Sequence, residues 1–314
     1  MRKNIVNNIY QLLIPKILRY LFTYFKNKKF REKIKSKKNN HTSVVPYLKD
    51  SYLLLEKGSF QDKKFVDHNF EYEQVIQDLM KLLVKPEDCI IDIGANHGLH
   101  TILLSKLAKN GTVFAIEPDK NSREKLNINL QLSGCTNVKV VNTAIGIKNK
   151  KLAFYTSKTR GQFDGSNSIY KESLLSMGVE DLNIKKEIVN VISLDSFVYK
   201  NKLKPNFIKM DIEGSEYDAF LGMKKTIKKY SPLLIFEFNS FYLKKSKRIE
   251  MNDILSPYYE LRLVDVSEKL EYPKSHNYVN AKYFSLEKVD MRYSNVSSHI
   301  ICIPKAKYES LVTN

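Results

Sequence analysis

Short apolar runs recur along the middle of this chain, each followed by a stretch whose apolar positions return with helical spacing. Cys89, Ile90, Ile91 and Ile93 make the first run, suited to a strand covered on both faces. Residues 99 to about 109 then read as a helix. Residues 112–116 make a second strand, and 121–132 a helix with Leu126, Ile128 and Leu130 among its apolar positions and Gly134 as its stop. Strands at 138–141, 206–212 and 233–238 continue the series, with a helix from Gly214 to about Lys229 before the last of them; 258–264 and 299–303 read as the final strands. This alternation predicts an α/β fold built on a doubly wound, mostly parallel sheet. Residues 151–156 and 187–192 instead alternate with a period of two and predict an added β-hairpin, its arms joined by a long polar connection over 157–178.

The stretch from Cys89 to Gly98, CIIDIGANHG, carries the strongest chemical signal. It reads as a buried strand entering a glycine-bearing turn and then a helix, the place where an α/β sheet holds a nucleotide-like ligand. Asp92 stands at the carboxyl end of that strand, and Gly94 and Gly98 lack Cβ atoms where backbone would approach a ligand closely. Glu117 ends the next strand, where a carboxylate meets a ribose diol. A dinucleotide fingerprint needs three glycines to seat a pyrophosphate on a helix N-terminus, whereas here two flank Asn96. The pair suits a nucleoside with an amino-acid tail: Asp92 and backbone near Gly94 for its ammonium, Glu117 for its ribose. S-adenosylmethionine is such a ligand. The structural alternative is that any doubly wound sheet carries carboxylates and glycines at its strand ends.

Four strings together resemble the FkbM family of S-adenosylmethionine-dependent methyltransferases: DIGANHG at 92–98, AIEPD at 115–119, SLD at 193–195 and, most specific, IKMDIEGSE at 208–216. They occur in order over about residues 70–305. The resemblance implies a Rossmann-like class I methyltransferase fold with a seven-stranded sheet ending in an antiparallel pair, formed by residues 41–314. It implies cofactor contacts at Asp92, Gly94, Asn96, Gly98 and Glu117, and a backbone contact to adenine near Ala144. His97 and His100 stand where the family more often shows aliphatic or aromatic residues; His97 is expected to line the pocket and His100 to pack its helix.

The fourth parallel strand delivers Asp211 and Glu213 to the same sheet edge. Methyl transfer to a hydroxyl requires alignment of donor and acceptor and removal of a proton, and a carboxylate can do the latter. Asp211 is the first candidate for base or acceptor positioning, joined by Glu237. Glu213 and Asn239 are expected to contact the acceptor. For Glu213 and Glu216 the structural alternative is capping of the following helix, and for Glu216 that reading is preferred. The connection over 157–178 is expected to be a mobile cover over the acceptor.

With 314 residues, 43% apolar and 27% charged, the chain is long enough for one large domain plus an extension. The net charge of +18 suggests a nucleic-acid partner until it is located: residues 1–40 hold twelve Lys/Arg against Glu32 alone, leaving +7 for the rest. Within this basic extension, residues 5–25 are too often interrupted, by Asn7, Asn8, Gln11, Pro15, Lys16 and Arg19, to span a bilayer. The basic run at 26–38 that follows fits a helix lying on an anionic membrane surface; packing on the core or on a second subunit is the other reading. No cleavage site follows the apolar stretch, so the expected location is cytoplasmic, or peripheral at the inner face of the membrane. Cys89 and Cys302 fall in expected strands and suit core packing, and the six scattered histidines spell no metal site, so no metal is expected.

By family analogy the expected activity is O-methylation of a sugar hydroxyl on a glycan, a lipid-linked glycan or a glycosylated metabolite. Rivals are a nucleic-acid methyltransferase, a catalytically inactive membrane-associated S-adenosylmethionine-binding protein and a Rossmann dehydrogenase. The first is disfavoured because IKMDIEGS occupies the place where amino-base methyltransferases carry an Asn or Asp, proline and an aromatic to grip a flipped base.

Overall fold

The computed structural model describes residues 42–48, 50–56, 73–157, 167–176, 178–240, 243–265, 285–294 and 297–312. The basic extension over 1–40 and residues 158–166 of the long connection lie outside the described residues.

The described residues open on an antiparallel hairpin of β1 (Thr42–Pro46) and β2 (Tyr52–Glu56), and their first helix is α1 (Gln74–Leu83). Strand and helix then alternate through β3 (Cys89–Ile93), α2 (Leu99–Leu107), β4 (Thr112–Ile116), α3 (Lys120–Leu132) and β5 (Val138–Val141). An excursion follows: β6 (Ala144–Ile145), β7 (Lys150–Ser157), α4 (Lys171–Ser176), β8 (Ile184–Ile192) and α5 (Leu194–Lys200). The chain returns through β9 (Phe207–Met210), α6 (Glu216–Leu221), α7 (Lys224–Tyr230), β10 (Leu233–Asn239) and α8 (Lys245–Leu255). It closes with β11 (Tyr259–Asp265), β12 (Ser285–Lys288), β13 (Ser297–Pro304) and α9 (Lys305–Val312).

The main sheet has the order β12-β11-β13-β10-β9-β3-β4-β5. Strands β10, β9, β3, β4 and β5 run parallel, and β13 lies antiparallel between β10 and β11. These are the seven expected strands, and β12 adds an eighth at the edge beside β11. The expected hairpin is β7 paired with β8, widened to three strands by β6.

Period-two alternation explains why the parallel strands read as unbroken apolar runs. Ile90, Val113, Phe207 and Ile235 pack with α1 and α2, whereas Ile91, Phe114, Ile208 and Phe236 pack with α5 to α8. Both faces are covered, so successive positions must all be apolar. From β3 the chain winds toward β5, and from β9 toward β10, so the winding reverses between β3 and β9; in open α/β sheets ligands bind outside the strand ends at that point.

One element differs from expectation. The single helix expected from Gly214 to Lys229 is two, α6 and α7, separated by Gly222 and the fully buried Met223. A Cβ on Gly222 would fall 2.0 Å from the main-chain oxygen of Gly146, so helix and loop approach too closely for any other residue. The described ends of the long connection are tied down. Ser168 and Tyr155 exchange main-chain hydrogen bonds of 2.8 and 3.1 Å, and Ser168 Oγ donates to the Glu213 carbonyl at 2.9 Å. No helix among the described residues is long and apolar enough to cross a membrane.

Candidate active site

The loop after β3 turns sharply: Gly94, Asn96 and Gly98 have φ of 78°, 48° and 97°. Gly94 and Ala95 both donate their N–H groups to the Ile116 carbonyl at the tip of β4. The glycines answer first to the protein's own packing rather than to a ligand. A Cβ on Gly94 would sit 1.8 Å from the Asp211 carbonyl oxygen, and one on Gly98 would sit 2.6 Å from Leu126 Cδ1. Gly94 thereby brings the tips of β3 and β9 together.

Glu117 is buried beneath this loop. Its two carboxylate oxygens accept the Asn96 and Asp119 N–H groups, each at 2.8 Å. Burial outweighs those two bonds and pushes its carboxyl up to about 7. Asp119 in turn caps α3, accepting the Ser122 N–H at 2.7 Å. Asn96 Oδ1 is buried with no hydrogen-bond partner among the described residues. Ala144 packs its side chain with Phe154, Val189 and Val191, pairs with Val191 across β6 and β8, and accepts the Thr143 hydroxyl at its carbonyl at 3.2 Å.

Asp92, next to last in β3, is fully enclosed. Its side chain is 0% exposed, so it does not reach into an open pocket; it accepts from Thr101 Oγ1 at 2.6 Å and faces Lys209 Nζ at 3.8 Å. Asp92 and Lys209 are register partners across β3 and β9. Lys209 is only 4% exposed, and its ammonium also lies 3.5 Å from Asp211 Oδ2 and donates to the Gly94 carbonyl at 3.4 Å. Burial alone would lower its pKa, but Asp211 and Asp92, helped by Glu73, outweigh that and hold the ammonium charged well above the usual lysine value. Burial raises the Asp92 carboxyl, and Lys209 and Thr101 pull it back. Sequence reasoning passed over Lys209. Its signal was one lysine among Phe207, Ile208 and Met210, in a strand buried at every position.

Asp211, Glu213 and Glu237 each place a carboxylate oxygen within 4.8 Å of the others. Asp211 follows β9, Glu213 occupies a left-handed turn at φ 52°, and Glu237 lies near the end of β10. Burial first, then the charges of Asp211, Glu216 and Glu73, push the Glu237 carboxyl up to about 9, and it hydrogen-bonds Asp211. Burial and the neighbouring acids thus favour the protonated form of Glu237. Three such carboxylate oxygens could also join the oxygen shell of a hard divalent cation. Glu216 accepts the Ile212 N–H at 3.1 Å, a bond within its own turn, and burial pushes it up to about 7. Asn239 ends β10 two residues past Glu237, on the same face of the strand.

His97 is buried, and burial, then Lys209, lower its pKa to about 4, which keeps it neutral. His100 does more than pack its helix: its Nε2 lies 3.2 Å from Glu73 Oε2, at the start of α1.

A doubly wound sheet with an antiparallel strand beside β10, and a glycine-bearing loop where the winding reverses, defines the Rossmann-like fold of class I methyltransferases. Residues 92–272 match the methyltransferase FkbM domain, and the chain belongs to that family. It is 26% identical over 161 residues to the 2-O-methyltransferase NoeI of Sinorhizobium fredii, covering 50% of this chain and 65% of that protein. It is 24% identical over 165 residues to the hexuronic acid methyltransferase AglP of Haloferax volcanii, covering 51% and 61%. The match thus spans less than two thirds of either relative. Among solved structures, methyltransferase FkbM from Methylobacillus flagellatus KT is 18% identical, covers 70% of this chain and 44% of that one, and superposes with a TM-score of 0.42.

Proposed function

We propose that this chain transfers a methyl group from S-adenosylmethionine to a sugar hydroxyl of a glycan, a lipid-linked glycan or a glycosylated metabolite. One observation carries the reading: beside the loop at the reversal point, Asp211 lies 3.5 Å from the buried Lys209 ammonium and gathers with Glu213 and Glu237, a carboxylate oxygen of each within 4.8 Å of the others. The relatives add support, one being named a 2-O-methyltransferase and another a hexuronic acid methyltransferase.

The residues present fit the donor. Asn96 Oδ1 is a buried acceptor in want of a donor, and Glu117 retains lone pairs beyond those used by two main-chain N–H groups, enough for ribose hydroxyls. Main chain at Gly94 and Gly98 borders the methionine side, and main chain at Ala144 the adenine. When bound, S-adenosylmethionine supplies an electrophilic methyl group on a sulfonium. Asp92 acts from behind, neutralising Lys209, which in turn fixes Asp211. Asp211 takes the proton of the acceptor hydroxyl, Glu237 orients it through their shared hydrogen bond, and Glu213 with Asn239 holds the acceptor.

The test is transfer of labelled methyl from S-adenosylmethionine by the full chain to hexose and hexuronate glycosides, with RNA and DNA in parallel. Label in the glycosides is expected. Label in nucleic acid alone would overturn the acceptor class, and donor binding with no transfer to any glycan extract would make the chain a binding protein. Asp211→Asn should lower turnover by about 10²–10⁴-fold while leaving S-adenosylhomocysteine affinity within about twofold. Unchanged turnover in that variant would remove Asp211 from the chemistry.

A further inference from the structure

The loop from Gly94 to Gly98 holds three left-handed residues, one of them the non-glycine Asn96, so its shape depends on what grips it from outside. One grip ties it to a part of the chain beyond the family match. Asn129, on α3, is 0% exposed and spends both ends of its amide: its Oδ1 accepts the Leu54 N–H of β2 at 2.7 Å, and its Nδ2 donates to the His97 carbonyl at 2.8 Å. A main-chain donor on one side and a main-chain acceptor on the other leave only one orientation for the amide. The same junction is packed by apolar side chains, with Leu53 and Leu55 of β2 in one cluster with Ala95 and Leu99 of the loop and helix and with Leu126 and Leu130 of α3. A second attachment, between β2 and Ser133, bypasses the loop: the Tyr52 N–H donates to Ser133 Oγ at 3.0 Å, and that hydroxyl donates to the Tyr52 carbonyl at 2.9 Å.

We infer that Asn129 is a positioning residue for the donor, transmitting the placement of the β1–β2 hairpin to the His97 carbonyl and so to the loop that meets the methionine side of the ligand. The hairpin lies outside the matched residues 92–272, yet it is part of the donor site's support. This inference rests on the donor reading above.

Its test uses S-adenosylhomocysteine as probe. Asn129→Asp keeps an oxygen for Leu54 and loses the N–H that His97 requires, and is expected to weaken binding roughly tenfold. Ser133→Ala loses both bonds to Tyr52 without touching the loop; it should lower the thermal midpoint yet leave affinity within about twofold of wild type. Wild-type affinity in Asn129→Asp, or an equal loss in Ser133→Ala, would overturn the assignment, since a merely structural role moves both variants alike. A measurement on the wild-type chain needs neither variant to fold. Because coupling between sites is reciprocal, saturating S-adenosylhomocysteine must slow hydrogen exchange at the Leu54 amide, whose acceptor is Asn129. An unchanged rate there would overturn the inference alone, whereas no binding by the wild-type chain would overturn the donor reading with it.

Discussion

At the scale of single residues, the site is governed by which carboxyls the fold leaves in company and which it strips of water. Lys209 stands between Asp92 and Asp211, while Glu237 forms no ion pair among the described residues and lies among acids. A carboxyl at about 9 in the native chain and at its ordinary value when unfolded binds its proton more tightly in the native state. Stability from this group is therefore fully present below the unfolded value and is lost as pH rises through the native one. Glu237→Gln cannot ionise, so its thermal midpoint should gain on wild type as pH climbs from about 5 to about 9. Parallel midpoint curves would mean that Glu237 is not held neutral. Asp211, Glu213 and Glu237 were legible because each stands at or just past the end of an apolar run, where strand-end chemistry is sought. Lys209 was not, since a lysine inside such a run has meaning only once its neighbours on the adjacent strand are known. Which cation Asp92 meets was not legible for the same reason: its register partner belongs to a distant part of the chain.

At the scale of elements, the SLD string works as an assembly of caps. Ser193 caps α5 by accepting the Ser196 N–H at 3.2 Å. Asp195 reaches across to α7, accepting the Thr226 N–H and hydroxyl at 2.7 Å each and the Lys225 N–H at 3.1 Å. It thus starts α7 anew after the break at Gly222, and keeps α6 short behind Asp211 and Glu213. Asp195→Ala should cost about 1–2 kcal/mol, read as a lower urea midpoint at unchanged slope. An unaltered midpoint would leave the string without this role. Most element boundaries were legible to within a residue or two, because period and length depend on local sequence. The break between α6 and α7 was not. Gly222 has an ordinary helical φ of −85°, and only the approach of Gly146 from another segment makes glycine necessary there.

At the scale of the whole molecule, charge and catalysis separate. The acidic cluster sits at the strand ends, whereas residues 1–40 carry +11 of the +18 net charge. Deleting those residues is expected to leave S-adenosylhomocysteine binding intact and to reduce sedimentation with vesicles containing anionic lipid, increasingly so at low salt. Equal sedimentation of the full and shortened chains would remove the membrane reading. The order of the main sheet follows from the alternation of strand and helix and from the right-handedness of parallel crossovers, both properties of local sequence and chain chirality. By itself the sequence determined most strands and helices and which acids stand at strand ends, because burial period and turn chemistry act over a few residues. Which acid meets Lys209, which glycine guards a close approach and how the β1–β2 hairpin grips the donor loop through Asn129 were decided only by tertiary structure. Those contacts join segments far apart along the chain, and their energies depend on distances of a few ångströms that no local pattern encodes.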